Sequence, residues 1–230
     1  MRAVPVAAIL ASCFMLGSVL SGGCSSRSGW TASEIETISS VIPGTDSLGT
    51  SILRVLTIED TDDSLVLRTT CADFTPTMLQ SPEFEALSSL MLATVQDPSE
   101  DGVGIAGPQV GISRRIVAVQ RFDKPGEPFE VYPNIRIVDT RGEQAPGPEG
   151  CLSVPGRRGD VMRYRDIEIS YTLVVPSASA DGQSGTTSAL RDTTERVQGF
   201  TAVIFQHECD HLDGILYIDK VIPGTLRESD

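Results

Sequence analysis

Positive charge is scarce in this sequence: 18 Lys and Arg stand against 31 Asp and Glu, for a formal net charge of −13. A surface of that sign repels phosphate backbones, and no basic cluster offsets it, so no nucleic acid partner is expected. Histidine is scarcer, with 2 in the 230 residues, which excludes any site built from three imidazoles. Cysteine is sparse and badly placed for disulfides. Cys13 and Cys24 lie in the N-terminal segment, which leaves Cys71, Cys151 and Cys209 in the body. An odd set of scattered thiols reads as small buried residues or as metal and redox groups. Hydrophobic residues make up 40%, enough for one globular domain with an extension.

Both histidines fall in Gln206-His207-Glu208-Cys209-Asp210-His211-Leu212-Asp213-Gly214, an H-E-x-x-H pattern after an apolar run. On a helix, residues four apart share a face, so His207 and His211 can offer two nitrogens to one metal ion. Glu208 beside them suits a base that takes a proton from a water held there. A catalytic site of this kind needs a third protein ligand, here a Cys or a carboxylate from elsewhere. Cys209 sits roughly 200 degrees round the helix from His207 and points away. Cys71 has no polar neighbours that suggest a site, whereas Cys151 lies on a Gly-flanked loop and is the favoured thiol. The longer protease pattern H-E-x-x-H-x-x-G-x-x-H is followed as far as Gly214, but its next ligand position holds Tyr217.

Along the chain, residues 1–23 read as a signal-like leader, with Arg2, an apolar run from Val4 to Leu20 and small residues before Cys24. A lipidated Cys24 would anchor the chain to a membrane. Residues 24–50, rich in Ser, Thr and Gly, read as a flexible arm, and 51–230 as the catalytic domain. Asp60 to Asp63 reads as punctuation. Ser81-Pro82-Glu83 is a helix start, followed by Phe84, Leu87, Met91 and Val95 at core spacing. The Gly-rich stretch from Gly102 to Gly111 lacks both the P-loop and the dinucleotide spacings and leads into a strand at Ile116. What remains there is a backbone that lets a ligand approach closely, with Gln109 near its end. Residues 141–150 read as a loop, 165–175 as a half-buried strand and Pro176 to Ser188 as a hairpin loop. The last helix, from about Gly199, carries the metal motif.

The stretches G-V-G-I-A-G-P-Q (103–109 with Gly102), E-G-C-L-S (149–153) and Q-H-E-C-D-H-L-D-G (206–214), in that order, resemble the three motifs of the peptide deformylase family. The resemblance covers roughly 51–222 and implies an α+β fold with antiparallel strands around a central metal-binding helix. It implies Cys151, His207 and His211 as ligands of one divalent metal, Fe²⁺ in the family with Zn²⁺ as the alternative. Glu208 becomes the general base and acid, and Gln109 with the Leu152 backbone N–H the oxyanion donors. The implied substrates are N-formyl-Met peptides, cleaved to formate and a free N-terminus. Gly104 would bind the peptide backbone. Val203 and Ile204 share the face of His207 and, with Val103, would line a methionine pocket or simply serve as core. Gly107 replaces the family's usual Ala and is expected to loosen its loop slightly. With Pro223-Gly224 in the tail, no long C-terminal helix for ribosome docking is expected. The leader points to export, the chemistry to the cytoplasm. The competing reading is an envelope-anchored lipoprotein that binds formyl peptides or metal, with vestigial catalysis.

Overall fold

The computed structural model describes residues 29–45, 49–100, 102–175 and 189–229. The leader, Cys24 and the loop from 176 to 188 lie outside the described residues. In order, the elements are α1 (Ala32–Ser39), β1 (Ile42–Pro43), β2 (Ser51–Ile52), α2 (Thr61–Leu67), α3 (Pro76–Leu79), α4 (Pro82–Val95), β3 (Gly104–Ala106), β4 (Ile116–Gln120), β5 (Phe129–Pro133), β6 (Arg136–Thr140), β7 (Gln144–Cys151), β8 (Val154–Tyr164), β9 (Asp166–Val175), β10 (Ala189–Gln198), α5 (Gly199–Leu212) and β11 (Arg227–Glu228). Single 3-10 turns follow β3 at Gly107–Val110 and α5 at Tyr217–Asp219.

Three antiparallel three-stranded sheets, ordered β3-β4-β5, β10-β9-β6 and β11-β8-β7, surround α5. This is the α+β arrangement expected around a metal-bearing helix. α5 touches strands of all three sheets, and eleven of its fourteen residues are buried. A helix apolar on one stripe alone could not sit there. Phe205, Cys209 and Leu212 pack with Val117, Tyr132 and Ile169, while Val203, His207 and His211 turn toward the remaining side.

α4 forms as its sequence signals: Ser81 accepts from the Phe84 N–H, Pro82 opens the helix, and Phe84, Leu87, Met91 and Val95 are buried. Three local expectations are corrected. Within the supposed flexible arm, α1 is an ordered helix. Thr31 and Glu34 cap it reciprocally, Trp30 is 1% exposed, and Trp30 Nε1 donates to Ser81 Oγ at 2.9 Å. Asp60 is no mere punctuation but the N-cap of α2, accepting from Asp62 and Asp63 N–H groups. Residues 144–151 are strand rather than loop. β7 lies at the edge of its sheet, where the N–H groups missing from Pro146 and Pro148 are tolerated.

Candidate metal centre

The site is assembled from α5, the end of β7 and the 3-10 turn after β3. Cys151 Sγ lies 3.2 Å from His211 Nε2, and the ligand atoms of Cys151, His207 and His211 all fall within 4.8 Å of one another. Donors about 2.0 to 2.3 Å from a tetrahedral ion stand roughly 3.5 Å apart, so this trio fits one ion and leaves a fourth position open. Burial pushes the thiols of the competing Cys71 and Cys209 up to about 12, which leaves them neutral and core-like.

The two imidazoles differ. Burial, with His207 close by, drives the His211 pKa well below its ordinary value. Burial also pulls His207 down, but the Cys151 sulfur and the Glu149 carboxylate outweigh it and hold the ring above 6.5. Glu149 Oε2 stands 2.8 Å from His207 Nδ1 and leaves Nε2 for a metal. Arg163 donates to both Glu149 oxygens, at 2.8 and 3.0 Å, and to Asp210 at 2.6 Å. Tyr217, the residue at the missing protease ligand position, stacks on His207 with ring centroids 6.0 Å apart.

Glu208 is 4% exposed, its Oε2 has no hydrogen-bond partner, and burial raises its pKa to about 7. A carboxylate so placed can hold or release a proton near neutrality. Gln109 is fixed by its carbonyl, which accepts from Ala106 N–H at 2.8 Å; its Nε2 thereby faces Cys151 Sγ at 3.6 Å and donates to Ser153 Oγ at 3.3 Å. Gly104 sits tight against the site: a Cβ would come within 2.5 Å of Glu208 Oε1 and 2.8 Å of Ile204 Cγ2, so a larger residue would displace those side chains. The expected loosening at Gly107 is corrected: a Cβ there would press on the carbonyls of Ile112 and Arg114, each at 2.6 Å.

A cleft of about 420 Å³ brings together every site residue named from sequence except His211 as lining: Val103, Gly104, Gln109, Cys151, Leu152, Val203, Ile204, His207 and Glu208. His211 lies behind it, fully buried. Val103 is 36% exposed, whereas Val203 and Ile204 are 7% and 4% exposed, so the pocket wall and the core are one surface here. Sequence reasoning missed the parts played by Glu149 and Arg163. Glu149 carried a signal, since it lies two residues before Cys151 and a strand returns to the same face every two residues. Arg163, on β8, had none locally.

An α+β shell closed around a buried helix, with a Cys-His-His donor set and a buried carboxylate beside it, has the build of a metal-dependent hydrolase. The sequence model described as polypeptide deformylase matches residues 52–178 and 183–226, and the chain belongs to the peptide deformylase family of enzymes. The peptide deformylase of Leptospira biflexa is 34% identical over 68% of the chain and 82% of its own length. That of Symbiobacterium thermophilum is 42% identical over 52% of the chain, a match spanning 48% of that relative's length. The Met-Ala-Ser-bound crystal structure of a class I type b peptide deformylase from Acinetobacter baumannii superposes with a TM-score of 0.57, at 32% identity over 74% of this chain and 98% of that one. The family is metal dependent, in keeping with the donor set. The envelope-lipoprotein alternative rests on residues outside the described ones, and the relatives lend it no support.

Proposed function

We propose that the protein hydrolyses the formyl amide of N-formyl-methionyl peptides and releases formate and a free N-terminus. The observation that carries this reading is the buried Glu208 carboxylate, its Oε2 without a hydrogen-bond partner among the described residues, on a peptide-sized cleft beside the Cys151, His207 and His211 donor cluster. Cys151, His207 and His211 would hold one divalent ion, Fe²⁺ by family likeness or Zn²⁺, which suits a Cys-His₂ set without redox chemistry. When bound, that ion supplies Lewis acidity and lowers the pKa of a water at the open position.

The chain's own groups do the rest. Glu208 takes the proton from the attacking water as a C–O bond forms at the formyl carbon. It then gives that proton to the amide nitrogen as the C–N bond breaks. Gln109 Nε2 and the Leu152 N–H donate to the oxygen on which negative charge develops. Gly104 lies on β3, an end strand of its sheet that lines the cleft, and offers main-chain groups to the peptide. Val103, Val203 and Ile204 present apolar walls to the methionine side chain. The Acinetobacter relative's bound Met-Ala-Ser is the deformylated form of such a substrate and supports the same reading here.

The test is formate release from formyl-Met-Ala-Ser by protein loaded in turn with Fe²⁺, Ni²⁺ and Zn²⁺. Formate and Met-Ala-Ser should appear in equal amounts. No release with any of the three ions overturns the proposal.

A further inference from the structure

Nearly every cation near the site is already neutralised. Arg163 pairs with Glu149 and Asp210, Lys220 with Asp210, and Arg227 with Asp160. Arg157 and Arg158 are the exception. Both are exposed, both line the mouth of the cleft, and neither has a carboxylate at ion-pair distance among the described residues. They are not equivalent. Across β11, Arg157 faces Glu228, while Arg158 faces Arg227, a cation. Arg158 instead lies over Gly150, with its Nε 3.7 Å from where a Cβ of that residue would stand, next to Cys151. The rim beneath it is anchored, because Tyr217, which stacks on His207, donates its hydroxyl to the Arg157 carbonyl at 2.9 Å. Glu100 lines the same cleft without pairing to either arginine.

We infer that Arg158 is a specificity-determining residue that selects formyl peptides carrying negative charge shortly after the methionine. That charge is either an Asp or Glu side chain or the terminal carboxylate of a short free peptide. The inference rests on the deformylase reading and adds to it. On a chain of net charge −13, acidic peptides are otherwise repelled, so a guanidinium at the entrance with no ion-pair partner among the described residues changes the sign of the local field. A planar guanidinium fork is suited to a carboxylate ligand. Arg157, with Glu228 opposite, contributes less.

The experiment measures binding as well as turnover. Affinities of the metal-loaded protein for Met-Ala-Glu-amide, Met-Ala-Gln-amide and Met-Ala-Lys-amide are compared by calorimetry, and Met-Ala-Ser as free acid is compared with its amide. The corresponding formylated peptides are assayed in parallel. An exposed charge contact supports a Glu-over-Lys preference of about 3- to 10-fold at low salt, shrinking as ionic strength rises. Arg158→Gln should bring the ratio close to one, Arg158→Lys should restore much of it, and Arg157→Gln should leave most of it. The free-acid arm tells a terminal carboxylate from a side chain. Equal binding of the Glu and Lys peptides by the unaltered protein, or a preference that survives Arg158→Gln, overturns the inference. A protein that binds the peptides with this preference but releases no formate would instead refute the proposed function alone.

Discussion

Glu149 and His207 meet at 2.8 Å between Oε2 and Nδ1, and the same carboxylate receives both donors of the Arg163 fork. A strand residue two positions from Cys151 thus meets an imidazole on the central helix, and a buried arginine holds that carboxylate still. Glu149→Gln should weaken metal binding by about 10- to 100-fold, as loss of an outer-shell partner does elsewhere. Competition with a chromophoric chelator measures it. Unchanged affinity would mean that His207 needs no orienting partner.

Gln109 owes its direction to Ala106, whose N–H takes the side-chain carbonyl and leaves Nε2 toward the thiol. Gln109→Ala should lower kcat by about 100- to 1000-fold with little change in KM. Steady-state kinetics on formyl-Met-Ala-Ser decide this. A rise in KM with kcat intact would place Gln109 in ground-state binding instead.

Glu34 docks α1 through Arg114, at 2.5 Å to Nε and 3.2 Å to Nη2. Burial alone would raise its pKa, but the Arg114 hydrogen bond and the Thr31 backbone outweigh it and hold the carboxyl below the ordinary 4.5. A depressed folded pKa contributes stability above the unfolded value, and that contribution is lost as pH falls through the folded value. The pair's contribution is present in full at neutral pH and is lost as pH falls below 4.5 through the lowered folded value. Trp30, the single tryptophan, reports on it from a buried contact with Phe74. Its emission should shift to the red on acidification through that range, and Glu34→Gln should remove this part of the pH dependence of stability. A Trp30 signal equally pH-dependent in Glu34→Gln would contradict the docking role.

The metal motif was legible because its constraints are local. Four-residue spacing on a helix fixes where His207 and His211 point, and two histidines in the whole chain force the third ligand to be sought among few residues. What stayed hidden depends on tertiary placement. Pro146 and Pro148 suggest a loop until β7 proves to be an edge strand, where their missing N–H groups cost nothing. The Ser- and Thr-rich stretch near Thr31 suggests a tether, although Thr31-x-x-Glu34 is a capping box and Trp30 beside it needs a buried home. Gly107 looks permissive in sequence but is required by two carbonyls that close in from Ile112 and Arg114. Arg163 reaches Glu149 from the neighbouring strand, and no spacing rule announces that meeting.

In the proposed function Glu208 moves the proton while Cys151, His207 and His211 hold the ion. The most direct measurement compares metal content and formate release for the unaltered protein and Glu208→Gln, both loaded with the same ion. About one metal per chain is expected in each, with a loss of about 100- to 10000-fold in kcat for the variant. Metal lost along with activity, or activity retained without the carboxylate, would contradict it.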